Sequence, residues 1–544
     1  MLKRQETAMD KRRINIFRAD VASFFTVRSL IVGGAVMLFV LLCVLPIFYM
    51  LALSFVNAQG DFSFENYRHL LLIDERQRQL LLNSTMLGGG AAVMSTLVGV
   101  PLGILFARAE LPMKNLLRIA LIVPLVVPPY ILALSWILLF GRVYPDFAYS
   151  LTGAILILGT SFYPLQMLAT EAAIRSVDER MEEAALLVAP PWRVLFRITL
   201  PLIAPIVSAV FLIIFVLSIA EFGVPGLLRV RVFTTEVFTA FAALYDFGAA
   251  TALALPLIII TFLVALIAKR IIGEKSLVSR KSSSGAIRLS SSIWRFAAIG
   301  FFATVFLTAV CLPFGVLISE AVHVKNISLI LSESGNAIFN SLALSAISAT
   351  LVVIPAAILG YARTRAKTRW SWLADVAFIV IFAVPSTVVG IGIIGLWNRG
   401  FLSALYTSQA IIIIAYLARF TSVAALILGA SVRQIPVSLE EAASVSGASW
   451  QRLFFKIVLP NMKAGIAATW LTIFVFAFGE LGTTLLVAPP GESTLPVRIY
   501  TIIANTSLGE VAALALLQIS VVLIPLIVFV FFVNGAGKIK KEDA

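Results

Sequence analysis

The sequence predicts an all-α integral membrane protein with about twelve transmembrane helices, arranged as two repeats of six. Three observations support this fold class. Hydrophobic residues make up 60% of the 544-residue chain and charged residues 13%, whereas soluble domains are about half apolar and a quarter charged. Apolar runs of about 20 residues, long enough to cross a hydrocarbon core of about 30 Å, recur along the chain. A polar motif between such runs occurs twice, 258 residues apart.

Twelve apolar runs define the predicted spans. The first run is about 24 residues long, beyond the roughly 7–15 apolar residues of a cleaved signal peptide, so we expect it to remain as a membrane anchor. The spans lie near residues 31–55, 84–107, 116–140, 151–170, 202–222, 249–268, 297–319, 341–362, 374–397, 410–430, 464–478 and 511–533.

The positive charge predicts a topology rather than nucleic-acid binding. The formal net charge is +14, and the dense basic clusters fall on one side of the predicted membrane, with sparser exceptions such as Arg229 and Arg231 on the other. By the positive-inside rule, both termini and both polar motifs are cytoplasmic, and anionic membrane lipid can attract the same clusters. The clusters contain Lys3, Arg4, Lys11, Arg12, Arg13, Arg18, Arg108, Lys114, Arg118, Lys269, Arg270, Lys275, Arg280, Lys281, Arg363, Arg365, Lys367, Arg369, Lys538, Lys540 and Lys541.

The repeated polar motif predicts a helix, a turn and a second helix in each half. It reads EEAALLVAPPWRVLFRITLP at 182–201 and EEAASVSGASWQRLFFKIVLP at 440–460. In the second copy, Ala442 and Ala443 favour a helix, and Gly447 can take the positive φ that ends one. In the first copy, Pro190 and Pro191 prevent a continuous helix. An ordinary polar loop is the alternative, and two copies in register count against it.

The repeat extends well beyond this motif, which predicts a duplicated chain. Offsets of 255–259 residues relate the Asn-Ser pairs that begin at 83 and 340, the Ala-Arg pairs at 107 and 362, and the Glu-x-Gly motifs at 221 and 480. Because each half holds six spans, the two repeats have parallel topology. We expect a cytoplasmic N-terminal segment at 1–30, repeat 1 at 31–270, a serine-rich basic linker at 271–293, repeat 2 at 294–535 and a cytoplasmic tail at 536–544.

Four residues are candidates for a gate or a pathway. Pro128 and Pro385 should kink the third and ninth spans, either to line a pathway or only to pack the bundle. Glu221 and Glu480 each follow a Leu-Pro by 20 residues, near the predicted outer end of matched helices, where an ionisable group suggests function. The two carboxylates are either a transient site for a metal cation or a lock that caps backbone amides or pairs with an outer arginine. No firm metal site is predicted.

The second polar motif resembles the coupling loop of ABC importer permeases, which docks into the ATPase subunit. Glu440-Glu-Ala-Ala443, Gly447 and Leu459-Pro460 fit that pattern. The first copy departs from it, because Val188 or Ala189 replaces the glycine, two prolines follow, and the copy is one residue shorter. The resemblance implies that the residues that contact the ATPase are Glu182, Glu183, Ala184, Ala185 and Ala189 in one half and Glu440, Glu441, Ala442, Ala443 and Gly447 in the other.

Taken whole, the chain resembles a fused, two-half permease of the ferric-iron type of binding-protein-dependent ABC importers. The tandem fusion, the two Glu-x-Gly motifs and the segment ESTLPVRIY at 492–500 carry this narrower resemblance. It implies a type I ABC importer permease fold in the bacterial inner membrane, two copies of an ABC ATPase subunit, and a periplasmic or extracellular substrate-binding protein. It also implies that ATP and Mg bind the partner ATPase, with no cofactor in this chain.

Several alternatives stay open. Fused permeases for thiamine, polyamines or phosphonates share this layout. A secondary transporter with twelve helices is a more distant alternative, because such a carrier has no reason to keep two matched coupling loops. An enzyme is not predicted, since the spans lack clustered His, Asp or Glu, and Gly535-Ala-Gly537-Lys538 lacks the earlier glycine and the following Ser or Thr of a P-loop.

Overall fold

The computed structural model describes residues 27–56, 61–64, 66–67, 75–109, 113–272, 292–324, 327–366 and 371–542. Within these ranges the backbone is almost entirely helical, and one isolated antiparallel bridge joins Val56 to Phe62. The predicted N-terminal segment lies outside the described residues up to position 26, and the predicted linker does so from 273 to 291.

The chain divides into two compact units, each of which draws segments from both sequence repeats. One unit contains Met1–Pro46, Ser345–Phe382 and Tyr416–Phe474. The other contains Ile47–Leu344, Ala383–Ala415 and Val475–Ala544. The first polar motif and both Glu-x-Gly motifs belong to the larger unit, and the second polar motif belongs to the smaller one.

The membrane-spanning helices confirm the predicted fold class. Among the described residues, nine helices are long and apolar enough to cross a membrane, and three bent pairs bring the number to twelve. Spans 1–6 are Val27–Leu53, Glu75–Arg108, Lys114–Val126 with Pro129–Phe140, Leu151–Arg175, Pro191–Ala220 and Phe247–Ala268. Spans 7–12 are Phe296–Val322, Gly335–Arg365, Trp372–Ala383 with Ser386–Trp397, Ala410–Arg433, Trp450–Asn461 with Lys463–Phe478, and Leu508–Val528.

Shorter helices connect the spans, and some span helices continue past the apolar stretch. The helix of span 6 reaches Ile272, that of span 7 begins at Ser292, and that of span 12 reaches Glu542. The predicted tail at 536–544 is therefore helical as far as Glu542. The connecting helices are Pro145–Ala148, Glu179–Leu186, Gly223–Leu227, Phe233–Ala242, Ile327–Glu333, Gly400–Leu402, Ser403–Tyr406, Val437–Val445, Gly482–Val487 and Leu495–Ile502.

Four spans contain a single wide π-helical turn, and each turn ends immediately before a Leu-Pro pair. In every case the leucine donates its backbone N–H to the carbonyl five residues earlier. The proline that follows has no N–H, and its ring would crowd the carbonyl four residues before it. A turn widened by one residue relieves that crowding without ending the helix. The turns are Val40–Val44, Leu195–Thr199, Leu307–Cys311 and Phe454–Val458.

The predicted kinks at Pro128 and Pro385 are complete breaks in the helix. Span 3 stops at Val126 and restarts at Pro129 with a bend of 90°. Pro128 itself is extended, with ψ of 132°, and Pro385 is extended in the same way with ψ of 144°. The residue before a proline is pushed away from the helical region, which explains why each helix ends just short of these prolines. A third bend, of 71° at Met462 in span 11, was not expected from the sequence.

Candidate functional site

The first polar motif folds as the predicted helix, turn and helix. Its leading helix, Glu179–Leu186, is named coupling helix 1 and begins at Asp178, whose side chain accepts the N–H of Arg180 at 3.1 Å. After the turn, Pro190 is extended, with φ of −68° and ψ of 153°. Pro191 then occupies the first position of the next helix, where its missing N–H leaves no hydrogen bond unmade.

The second polar motif forms the same bend with different residues. Its leading helix, Val437–Val445, is named coupling helix 2. Gly447 has φ of 77°, and the N–H of Ala448 bonds to the carbonyl of Ala443 at 3.0 Å, as in a Schellman ending. The predicted positive φ at Gly447 is confirmed. Ser449 then starts the next helix, its hydroxyl accepting the N–H of Arg452 at 3.4 Å.

Glu182 anchors coupling helix 1 to the end of span 2. Its Oε1 lies 2.5 Å from Nη2 of Arg108, and both side chains are almost completely buried, with 0% and 3% exposed. The hydroxyl of Thr199 donates to the same oxygen at 2.8 Å. A buried carboxylate is stable only when it is paired and hydrogen-bonded, so this contact fixes where coupling helix 1 meets the membrane helices.

Glu440 anchors coupling helix 2 to the end of span 8 in the equivalent way. Nε and Nη2 of Arg365 lie 2.7 and 2.6 Å from Oε1 of Glu440. The hydroxyl of Tyr361 donates to Oε2 at 2.9 Å. Arg365 also donates to the carbonyl oxygens of Val432 and Ile435 at 3.3 and 2.9 Å, which ties it to the end of span 10.

The two anchors correct one detail of the repeat. The matching Ala-Arg dipeptides in the sequence equate Arg108 with Arg363, but the structure assigns the equivalent role to Arg365, 257 residues after Arg108. Arg363 instead pairs with Asp375. Two residues that are two apart on a helix point about 200° away from each other, so only one of these arginines can face coupling helix 2.

The second glutamate of each pair faces outward. Glu183 and Glu441 are exposed, as are Ala184 and Ala442, while Ala185, Ala189 and Ala443 are partly buried. Each coupling helix ends in apolar side chains that this chain leaves uncovered: Leu187 is 86% exposed and Val445 is 89% exposed. The first glutamate therefore holds the helix in place, and the second one, with an apolar tip, forms a surface that a partner can cover.

Glu221 and Glu480 each cap a short helix. Oε2 of Glu221 accepts the N–H of Val224 at 2.7 Å, at the start of Gly223–Leu227. Oε1 of Glu480 accepts the N–H of Thr483 at 2.9 Å, at the start of Gly482–Val487. These two helices are named gate helices 1 and 2. Amide capping, one of the two roles expected from the sequence, is thus the arrangement observed.

The two Glu-x-Gly motifs contact each other across the repeat. A Cβ placed on Gly223 would lie 3.3 Å from Cδ2 of Leu481, and one placed on Gly482 would lie 3.6 Å from Cβ of Phe222. The central residue of each motif therefore packs on the glycine of the other. The structure brings together segments that are 259 residues apart in the chain.

The proline breaks lie against the same contact. A Cβ on Gly223 would lie 2.9 Å from Cβ of Tyr130, and one on Gly479 would lie 2.7 Å from Cγ of Pro128. A Cβ on Gly482 would overlap the hydroxyl of Ser386, which follows Pro385. The segments that carry the four predicted gate residues thus lie in one cluster, in which glycine is required because the neighbours leave no room for a side chain.

The cluster offers little to a resident metal ion. No group of three His, Cys, Asp or Glu side chains that could hold a metal occurs among the residues that the structure describes. Burial raises the pKa of Tyr500 above its ordinary value, and the negative charge of Glu221 raises it further. The Tyr500 hydroxyl therefore stays protonated at neutral pH. In this cluster the carboxylates of Glu221 and Glu480 accept hydrogen bonds from backbone amides.

The Asn-Ser pairs marked the repeat in the sequence, but their role was missed. The hydroxyl of Ser84 accepts the N–H of Phe233 at 3.0 Å, and that of Ser341 accepts the N–H of Leu495 at 2.6 Å. Each serine thereby caps the connecting helix that follows a gate helix. A Ser at the start of a predicted span gives no local signal of a partner about 150 residues away.

Comparison with known proteins identifies relatives over nearly the whole length. The family model described as "Binding-protein-dependent transport system inner membrane component" matches twice, at residues 99–273 and 353–536. The Fe(3+)-transport system permease protein FbpB 2 of Haemophilus influenzae is 25% identical over 452 residues, covering 81% of this chain and 87% of the relative. The ferric transport system permease protein FbpB of Actinobacillus pleuropneumoniae is 24% identical over 503 residues, covering 86% and 72%. A putative 2-aminoethylphosphonate transport system permease protein, PhnV of Salmonella typhimurium, is 30% identical over 159 residues, covering 29% and 58%.

Proposed function

Since the chain belongs to the family of binding-protein-dependent transport system inner membrane components, we propose that it is the fused permease subunit of an ATP-driven importer of ferric iron. The observation that carries the proposal is the pair of matched coupling helices, each anchored by a buried glutamate that pairs with an arginine, and each with its other face uncovered. The family domain occurs twice, which supports a single chain that supplies both halves of the translocation unit.

Ferric iron is favoured as substrate by the extent of the similarity. The relatives named for ferric iron align with most of this chain, whereas the aminoethylphosphonate permease aligns with 29% of it. The iron is cargo here, delivered and released rather than held by a resident site. A phosphonate, one of the alternatives expected from the sequence, is the second candidate, since the aminoethylphosphonate permease matches 29% of this chain at 30% identity.

The coupling helices are proposed to contact two copies of an ABC ATPase subunit, one for each half. ATP and Mg would bind those subunits. Leu187 and Val445 occupy equivalent positions at the helix tips, and apolar side chains that are more than four-fifths exposed are typical of surfaces covered in an assembly. Since Glu182 and Glu440 tie the coupling helices to spans 2 and 8, any displacement of a coupling helix by the ATPase passes directly to those spans.

The opposite side of the membrane is proposed to receive a soluble substrate-binding protein. The positive-inside rule predicts cytoplasmic termini, and in that orientation the gate helices face the periplasm. An arginine followed two residues later by an exposed aromatic occurs in both halves, 257 residues apart: Tyr144 after Arg142 is 63% exposed and Phe401 after Arg399 is 88% exposed. Arginine and aromatic side chains are enriched in protein interfaces, and the duplicated pair offers a partner one contact on each half.

Glu221 and Glu480 are proposed to lock the outer gate rather than to carry iron. Each carboxylate already accepts a backbone N–H and thereby sets the start of a gate helix. The reciprocal packing of Phe222 and Leu481 on the opposing glycines closes the space between these helices. Opening the gate then requires the two gate helices to separate while each keeps its own cap.

Reconstitution tests the proposed function. The purified permease, assembled with its ATPase and placed in liposomes, should take up radiolabelled ferric iron only when ATP and the iron-loaded binding protein are both present. Thiamine, a polyamine and 2-aminoethylphosphonate, each offered with its own binding protein, serve as competing substrates. ATP-dependent uptake of one of these instead of iron would overturn the substrate, and uptake driven by an ion gradient without ATP would overturn the transporter class.

A further inference from the structure

Gln518 is a polar residue in the buried middle of span 12, where the other half of the chain is apolar. The run Ala252-Leu253-Ala254-Leu255 in span 6 matches Ala513-Leu514-Ala515-Leu516 in span 12, so Leu257 stands at the position of Gln518. Both side chains are fully buried. A polar group at membrane depth is costly unless it is bonded, and it suggests a function by default.

Both ends of the Gln518 amide are bonded to parts of the gate. The hydroxyl of Tyr130 donates to Oε1 of Gln518 at 2.6 Å. Nε2 of Gln518 donates to the carbonyl oxygen of Phe478 at 3.3 Å. Phe478 ends the helix of span 11, and the last carbonyls of a helix have no partner within that helix. Phe478 lies two residues before Glu480.

These bonds join the two halves of the gate. Tyr130 lies directly behind Gly223, the glycine of the first Glu-x-Gly motif, which leaves 2.9 Å between the tyrosine Cβ and a Cβ placed on that glycine. Phe478 leads into the second motif. Gln518 therefore connects the support of gate helix 1 to the segment that begins gate helix 2.

Among the described residues, the other half has no counterpart of this connection. Leu257 packs in an apolar cluster with Ile219, which occupies the position of Phe478. The residue equivalent to Tyr130 is Thr387, whose hydroxyl is buried and has no hydrogen-bond partner among the described residues. The hydrogen-bonded connection is thus built on one side only.

We propose that Gln518 is a positioning residue that latches the outer gate shut, and that its bonds to Tyr130 and Phe478 must break when the gate opens. This rests on the proposed function, because it takes the two gate helices to be the outer closure. The residue does not touch the substrate. Its two hydrogen bonds favour the closed gate. The ATPase and the binding protein must overcome that preference for the gate to open.

The test compares Gln518→Leu, which installs the residue that the other half carries, with Tyr130→Phe. Both are made in a chain with Cys43 and Cys311 replaced by alanine and with the conservative reporter change Val224→Cys in gate helix 1, since Val224 is 0% exposed. Labelling of the reporter by a membrane-impermeant maleimide measures gate opening. Without binding protein, Tyr130→Phe should raise the labelling rate about fivefold, the shift expected for the loss of one hydrogen bond of ordinary net strength, and Gln518→Leu, which loses both bonds, should raise it at least as much. Basal ATP hydrolysis by the assembled complex should rise with it.

The double variant and a control make the result specific. If Tyr130 and Gln518 form one latch, the double variant labels no faster than Gln518→Leu alone. Ser520→Ala, which removes an exposed hydroxyl bonded within span 12, should label like the parent chain. Parental labelling in both Gln518→Leu and Tyr130→Phe, or additive effects, would overturn the latch. If Gln518→Leu does not assemble, Tyr130→Phe still decides the question.

The labelling assay separates this proposal from the proposed function. It needs no transported substrate, so a wrong assignment of ferric iron leaves it unaffected. Failure of ATP and binding protein to change labelling in the parent chain would count against the ATP-driven importer itself. A normal response in the parent with no effect in the variants would count against the latch alone.

Discussion

Arg108 and Glu182 lie 74 residues apart in the chain and form a buried ion pair of 2.5 Å between the end of span 2 and coupling helix 1. Arg365 and Glu440 repeat the arrangement in the other half. The shared contact divides each Glu-Glu pair into an inward residue that fixes the helix and an outward residue that is free to meet a partner.

Glu182→Gln should destabilise the permease, whereas Glu183→Gln should not. Removing the charge leaves Arg108 buried without its partner, and breaking a buried pair costs about 3–5 kcal/mol. Thermal denaturation of the purified permease should show a clear loss for the first variant. The exposed neighbour is the matched control, and it should instead weaken stimulation of ATP hydrolysis. Equal melting temperatures would contradict the assigned roles.

Gly447→Ala should destabilise the second coupling turn by about 1 kcal/mol. A Cβ on Gly447 meets nothing within 4 Å, so the cost comes only from holding alanine at φ of 77°. Gly447→Pro should abolish coupling between ATP hydrolysis and uptake, since proline is restricted to negative φ. The measurement is uptake per ATP hydrolysed. Ala189→Gly in the first loop is the control, and a coupled Gly447→Pro variant would refute the argument.

Gly482→Ala should disturb the closed gate, because the new methyl group would overlap the hydroxyl of Ser386. Overpacking of this kind typically costs about 1–3 kcal/mol. Gly89→Ala, in a helix with open space around the glycine, should be neutral. Uptake and basal ATP hydrolysis of both variants give the readout. Wild-type behaviour of Gly482→Ala would show that the gate helices tolerate separation.

The double variant Glu221→Gln with Glu480→Gln should retain iron uptake. A glutamine oxygen can still accept the N–H groups of Val224 and Thr483, which are the contacts that the carboxylates make. Replacement of both by leucine removes the caps and should impair uptake. If the glutamine variant loses uptake while keeping its stability, the carboxylates carry charge-dependent chemistry and the lock is the wrong interpretation.

Arg142→Glu should weaken docking of the substrate-binding protein. Arg142 is exposed and forms no ion pair among the described residues, so its reversal should not affect folding. Stimulation of ATP hydrolysis by increasing binding protein should require a higher concentration. Arg78→Glu, at an exposed arginine that pairs only locally with Glu75, is the control. An unchanged concentration dependence would place the docking surface elsewhere.

Hydropathy predicted the spans well, because twenty apolar residues in a row have few other structures available. The turn at Gly447 was also predictable, since positive φ is a property of the residue itself. The partner of Glu440 was not, because choosing between Arg363 and Arg365 requires knowing which face of span 8 meets the coupling helix. The bend at Met462 was not predictable either, because it follows the Leu-Pro pair at 459, whereas the equivalent pair at 200 lies in a span without such a break.

The π-helical turns follow a sequence pattern, the Leu-Pro pair, from which they were not predicted. Four of the five Leu-Pro pairs inside the described spans follow a turn widened by one residue, and Leu255-Pro256 in span 6 is the exception. The same dipeptide begins the stretch that leads to both Glu-x-Gly motifs. The capping role of Glu221 and Glu480 could also be predicted from the local sequence, because each glutamate lies three residues before the backbone N–H that it accepts. What the chain alone could not reveal was that the two motifs touch.

The fusion of both halves into one chain has a genetic consequence. In a permease made of two identical subunits, every substitution is copied to the second side by symmetry. Here Pro190-Pro191 ends one coupling turn while Gly447 shapes the other, and an arginine at 118 on span 3 is matched by an aspartate at 375 on span 9. Each half can therefore mutate on its own, so a lineage can specialise one side of the transporter while the other keeps the ancestral arrangement.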